Sequence, residues 1–217
     1  MRSVVKNTAL IALIGFLASS CTAVSTSPGG SSGGGGVFVP STGSGFVGDV
    51  DDFYEALAER ESSGDPGVEN TFGFLGLYQM GELAMTDADW YSESEDSRTS
   101  RNDWIGQWST NALSNSVSSK NSYLGNSGAQ DIAVVRYHDR VWTYIVGLGL
   151  DEYEGRTING IRITRSGLLA SSHLLGAGTL RDYLEANGQG AFADGFGTSI
   201  EEYLSLFANY ETRYTRF

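Results

Sequence analysis

Glu61 is the residue on which chemistry could turn. Phe53, Leu57 and Glu61 recur every four residues, so they share one stripe of a helix capped by Asp51 or Asp52 and running to about Ser62. The stripe is apolar until its last member. A carboxyl group in that position points toward apolar surroundings, which disfavour its anion. The helix carboxyl end adds the negative pole of the macrodipole and pushes the same way. A carboxylic acid still protonated near neutrality can donate a proton to a leaving oxygen. The competing reading is an exposed glutamate at a helix end.

Other residues offer less. His138 and His173 are the two histidines and Cys21 the one cysteine, which argues against a disulfide framework and a structural zinc site. Asp194-Gly195-Phe196-Gly197-Thr198-Ser199 has the spaced acid and glycines of a calcium loop. Its remaining ligand positions are not filled, so it reads as a turn in which Thr198 or Ser199 caps the last helix. No metal and no cofactor is implied. Asp103, Trp104 and Trp108 lie in a polar, serine-rich stretch from Thr86 to Lys120 that reads as an extended surface around a cleft. Their rings could stack on sugar faces or belong to the core.

The elements that must position these groups are mostly helical. Phe72 to Tyr78 reads as a loop or short strands, and Gly81 to Ala88 as a short helix. A long helix is expected over Ala129–Gly147, capped by Ser127, with Ile132, Val135, Trp142, Ile145 and Val146 at helical spacing. Thr157 to Thr164 reads as a hairpin about Asn159-Gly160. Ser166 would cap a helix over Gly167–Leu175, which Gly176 and Gly178 break. Further helices follow at Leu180–Asn187 and Ser199–Tyr210. The expectation is one mainly α domain with a small β-hairpin, from Asp49 to Phe217.

The first 48 residues differ in kind. Arg2 and Lys6 precede an apolar run of ten residues, Ala9–Ala18, too short to span a bilayer, and Ala18-Ser19-Ser20 lead into Cys21. This tract resembles a bacterial lipoprotein signal peptide over residues 1–20. The resemblance implies lipidation of Cys21, a membrane anchor there and, with Thr22 next, an outer-membrane location facing the periplasm. An ordinary signal cleaved near Ser20 would instead leave a free thiol. Residues 22–48 are rich in Ser, Thr and Gly and hold nine of the 29 glycines. They read as a flexible tether of about 27 residues, with a root-mean-square reach of about 30 Å. Loss of the signal removes Arg2 and Lys6 and takes the net charge from −12 to −14. A surface that acidic repels phosphate backbones, so nucleic acid is not an expected partner.

Three segments together carry a second resemblance: Glu61-Ser62-Ser63-Gly64, Gly76-Leu77-Tyr78-Gln79, and Ala170-Ser171-Ser172-His173-Leu174-Leu175-Gly176-Ala177-Gly178. In order, and with a long helix between the second and third, they resemble the E-S-x-G, G-L-x-Q and A-x-x-Y-N-x-G-x-G motifs of soluble lytic transglycosylases, in the lysozyme-like superfamily. The resemblance covers about residues 50–185 and implies an α+β lysozyme-like fold. Glu61 would then be the catalytic acid/base, with Ser62 bonding or orienting it. Gly76, Leu77 and Gln79 would wall a cleft for peptidoglycan glycan strands, with Tyr78 where the family often has methionine. His173 and Leu174 replace Tyr-Asn. His173 either takes over the hydrogen bonding or packs in the core, His138 is structural, and Trp104 would line a subsite.

The implied reaction is cleavage of the β-1,4 bond between N-acetylmuramic acid and N-acetylglucosamine. Lytic transglycosylases do this with one acid/base, whereas a hydrolytic muramidase normally needs a second carboxylate. Glu82, Asp87, Asp89 and Asp103 are the candidates, with Glu82, three after Gln79, best placed. A non-catalytic peptidoglycan-binding lipoprotein and a glycosidase for another amino-sugar polymer such as chitin are the remaining readings. No protein partner is indicated.

Overall fold

The computed structural model describes residues 46–93 and 102–214. The expected signal peptide, Cys21 and most of the tether lie outside the described residues. What is described is mainly helical, with two small two-stranded antiparallel sheets.

Helix α1 spans Val50–Ser62. Its cap is Asp49, not Asp51 or Asp52: the Asp49 carboxylate accepts from the Asp51 and Asp52 amides, while the Asp52 carboxylate accepts from the Asp49 amide. Two acids then stand at the positive end of the helix dipole. The expected stripe is present, with Phe53, Leu57 and Glu61 all buried. Ser63 and Gly64, both in the left-handed region at φ 55° and 71°, turn the chain away. The domain also begins earlier than Asp49. The Val47 amide donates to Asn209 O at 2.8 Å and the Glu211 amide to Gly48 O at 2.9 Å, so the last residues assigned to the tether are paired with the C-terminal segment.

Helix α2 covers Glu82–Asp87, as expected. Among the described residues, the stretch after it is not simply an extended surface. Strand β1 (Tyr91–Ser92) pairs antiparallel with β2 (Gln107–Trp108), and short helices α3 (Thr110–Ser114) and α4 (Lys120–Leu124) follow. Trp90, Tyr91 and Tyr123 are buried, and with Trp104 and Trp108 they form an aromatic cluster that outweighs the polar composition around it.

Helix α5 runs Ser127–Gly147, capped by Asn126, not Ser127. Its buried face is Ala129, Ala133, Val134, Val141, Trp142 and Ile145, with Gln130 and His138 among them. Ile132 and Val146, expected on that face, are exposed. Gln130 and His138 take core positions because each finds buried partners, while Trp142 and Ile145 are buried as expected.

After a 3-10 turn at Leu150–Tyr153, strands β3 (Thr157–Ile158) and β4 (Ile161–Arg162) form the expected hairpin. Asn159 and Gly160 supply positive φ, 49° and 79°, for the two-residue turn. Helix α6 spans Arg165–Glu185 and is capped by Thr164 in place of Ser166, whose hydroxyl instead accepts from the Tyr210 amide. Only Gly176 leaves helical geometry, at φ 80° and ψ 151°. Gly178 is helical, so the helix kinks once and continues. Helix α7 is Ile200–Leu206, capped by Ser199, and ends four residues earlier than expected. It packs on α6, and the Phe53 and Phe207 rings meet at 5.8 Å.

Replacing Asp49 by Ala removes the cap of the helix that carries Glu61. The variant is expected to lose about 1 kcal/mol, read as a lower urea midpoint at unchanged slope.

Candidate functional site

Glu61 sits at the last turn of α1 with 6% of its surface exposed. Its Oε1 accepts a 2.6 Å hydrogen bond from the Tyr203 hydroxyl of α7 and lies 4.0 Å from His173 Nε2 of α6. Burial is the dominant influence and lifts its pKa from 4.5 to about 7. The Tyr203 hydrogen bond and the Arg60 guanidinium oppose that rise, and the Asp194 carboxylate reinforces it. Arg60 itself pairs with Glu202 at 2.5 Å and lies 5.7 Å above the Tyr203 ring.

Glu61 opens on a cavity of about 730 Å³. One wall comes from Phe74, Gln79, Met80, Gly81 and α2, the other from α6 on both sides of the kink at Gly176, with Tyr137 and Tyr144 of α5 between. Among the residues expected at the site, Glu61, Gln79 and His173 line this cavity. Ser62, Gly76, Leu77, Tyr78 and Trp104 do not.

The residues behind the wall have identifiable tasks. The Ser62 hydroxyl does not bond Glu61; its one proton is shared between Leu77 O at 2.9 Å and Ala58 O at 3.1 Å, fastening the end of α1 to the Gly76–Gln79 turn. Gly76 has φ 73° and packs so closely that a Cβ there would lie 2.3 Å from Gln130 Oε1. Gln130 is fully buried. Its Oε1 accepts from the Leu77 amide at 2.7 Å, and its Nε2 donates to Tyr123 O and Pro66 O. The Gln79 amide group donates to Gly76 O at 2.9 Å, closing the turn on itself. Trp104 stacks on Trp108 at 5.6 Å, donates its Nε1–H to Gly73 O, and its backbone amide bonds the Glu82 carboxylate. It is half-buried against the core and does not line the cavity, so it supports the wall from behind.

His173 is tied into a buried chain. A carbonyl oxygen only accepts, so the 3.0 Å contact with Tyr78 O makes His173 Nε2 the donor. In the neutral ring Nδ1 is then an acceptor, which makes His138 Nε2 the donor across their 3.1 Å contact. His138 Nδ1 in turn accepts from the Tyr54 hydroxyl at 3.2 Å. Burial holds both rings neutral: it lowers His173 to about 4 and His138 well below the ordinary value. His173 therefore lines the cavity and fixes the Tyr78 backbone together, and His138 is structural. Tyr78 is buried, with its hydroxyl on Asp131 at 2.7 Å.

Of the four candidate second carboxylates only Asp87 lines the cavity, and it accepts from the Tyr144 hydroxyl at 2.8 Å. Glu82 is buried, and its pKa is pushed up to about 7 chiefly by that burial, but it faces Trp104. Asp89 accepts from Asn111 and Asp103 from the Ile105 amide. Sequence reasoning missed Tyr203 and Gln130. Gln130 had a signal, since an uncharged polar residue on the buried side of a long helix needs a partner; Tyr203 reaches Glu61 from 142 positions away and had none. Among the described residues no group of three or more His, Cys, Asp or Glu could hold a metal ion. Compared with known proteins, the chain matches no family model, no curated protein and no solved structure.

A raised pKa in the folded state favours folding fully below the unfolded value, and that contribution is lost as pH climbs through about 7. Glu61→Gln, whose amide oxygen can still accept from Tyr203, is expected to be more stable than wild type at pH 8 by up to about 3 kcal/mol. The difference should vanish at pH 4. Urea titrations at the two pH values check it.

Proposed function

We propose that this protein is a peptidoglycan lytic transglycosylase of lysozyme-like fold, held by a lipid anchor at Cys21 to the outer membrane on its periplasmic side. The observation that carries the reading is the Glu61 carboxyl, buried at the end of α1, bordering a cavity and poised to titrate at about 7. An acid of that pKa is half protonated at neutrality and can serve in turn as proton donor and acceptor.

In the proposed reaction Glu61 gives its proton to O4 of N-acetylglucosamine as the bond to C1 of N-acetylmuramic acid breaks. The C6 hydroxyl of the muramyl residue then attacks C1 and returns its proton to the Glu61 carboxylate. The product is a 1,6-anhydromuramyl end, and no water is consumed. The distribution of acids favours this outcome over a muramidase. Besides Glu61, the carboxylates lining the cavity are Asp87, engaged by Tyr144, and Asp182, exposed and paired with Arg181. Neither is a free buried base for water.

Purified murein incubated with wild type should yield 1,6-anhydromuramyl fragments by mass analysis, and Glu61→Gln should lower the rate by at least about a hundredfold. The wild-type rate should fall above pH 7 as Glu61 loses its proton. Reducing ends without anhydro sugar would establish the muramidase. Retention on murein without lysis by either form would establish the binding lipoprotein.

A further inference from the structure

Exposure along the cavity rises in one direction. Beside Glu61 the lining is closed to solvent, with Gln79, Met80 and Ser172 all buried. From there Tyr137, Val141, Tyr144 and Leu148 form a stripe of α5 that lines the cavity from position 137 to 148, about 16 Å of helix. The Tyr137 ring lies 5.7 Å from the His173 ring at the inner end, whereas Tyr144 and Leu148 are exposed, as is Leu83 on the facing wall. Glu61 thus stands at the inner end of a groove long enough for several sugar rings, with its mouth at Leu83 and Leu148.

The inner end is closed by a contact between two loops. None of the described residues of α7, or of the loop between α6 and α7, lines the cavity. Tyr203 of α7 covers Glu61 Oε1, and on the loop before α7 the Phe196 ring meets the Phe72 ring edge to face at 5.8 Å. Both phenylalanines are set by the same device. Asn70 Oδ1 accepts from the Phe72 and Phe74 amides at 2.8 and 3.1 Å, and Asp194 Oδ1 from the Phe196 and Thr198 amides at 2.9 and 2.7 Å. Asn102 lines the cavity and donates to Phe72 O at 3.0 Å, which fastens the first loop to the wall. The two rings are 39% and 37% exposed, so their contact adds little to the core. It joins the wall that carries Phe74 to the loop that leads into α7, and Glu61 lies between those two sides.

We propose that the Phe72–Phe196 pair bars the groove behind Glu61, so that the protein takes the ends of glycan strands and not their interiors. This rests on the reading of Glu61 as the acid that cleaves murein. A strand entering at Leu83 and Leu148 stops with its last sugars at Glu61, and each turnover removes a short piece. Both phenylalanines are then specificity-determining residues.

Glycan strands freed of their peptides test this through the fragment lengths released early in digestion. Wild type should release short fragments from the first turnovers while the remaining strands stay long. Phe72→Ala and Phe196→Ala should each raise the share of internal cuts about threefold to tenfold, and the double variant no further, because either truncation breaks the one contact. Both side chains are exposed, and either single variant suffices for the comparison. Early loss of long strands in wild type, or an unchanged fragment pattern in the variants, would overturn the proposal. A second measurement needs no turnover: in Glu61→Gln, chitotetraose should shift the amide NMR signals of Tyr144 and Leu148 and leave those of Gly197 and Thr198 in place. With Phe72→Ala added, Gly197 and Thr198 should shift as well. Shifts there with the pair intact, or none along α5, would also overturn it. Wild type without lytic activity would retire the proposed reaction, and the chitotetraose titration would still decide whether the groove is closed behind Glu61.

Discussion

The structure depends on keeping one carboxyl group dry. Taking an ionised carboxylate out of water is costly unless a cation or several donors meet it, and Glu61 meets one hydroxyl and a guanidinium already engaged elsewhere. The group settles the conflict by holding its proton, and its surroundings are arranged so that it can. Phe53 and Leu57 bury the face of α1 that ends on it. Ser62 ties that end to Leu77 O, and Tyr203 brings in α7. Three chain segments far apart in sequence thus converge on a single side chain. Loosening any of them would admit water and return the carboxyl to its ordinary acidity.

The wall opposite is held by local constraint of a different kind. Gly76 and Gln79 both adopt positive φ, 73° and 43°, within four residues. A left-handed glutamine costs on the order of 1 kcal/mol, so it persists only where its surroundings over-determine it. Here they do: Gln130 holds the Leu77 amide, Gln79 closes on Gly76 O, and His173 pins the Tyr78 carbonyl. The glycine at 76 is required twice over, by its φ and by Gln130 pressed against it.

What could be read in advance follows from the range of the forces involved. Local periodicity located α1, α2, α5 and the hairpin, because caps, turns and apolar stripes act over a few residues. The turn of the hairpin was legible to the residue, since Asn-Gly has few other uses. The buried face of α5 was misplaced in part, because Gln130 and His138, polar by type, are core by partnership. The described part of the Thr86–Lys120 stretch was misjudged on average polarity, when the buried Trp90 and Tyr91, with Trp104 and Trp108 packed on Tyr91, decide it. At the site the motif residues were legible and their tasks were not. Glu61, Gln79 and His173 do line the cavity, but Ser62 and Trp104 act behind it, and a contact spanning Glu61 to Tyr203 leaves no trace in spacing.

The two histidines test the proposed chemistry from another side. A chain running from the Tyr78 carbonyl through His173 and His138 to Tyr54 has the form of a proton relay. A relay needs rings that accept and release protons at the working pH, and burial holds both rings neutral well below it. The carbonyl at one end cannot take up a proton, so every donor along the chain is locked in one direction. The reaction proposed for Glu61 asks for no relay. The proton given to O4 is replaced by the one leaving the C6 hydroxyl, and each turnover ends with Glu61 as it began. A buried acid that regains its proton from the substrate suits that cycle. The histidine chain does its work by fixing Tyr78, and with it the cavity wall beside the acid.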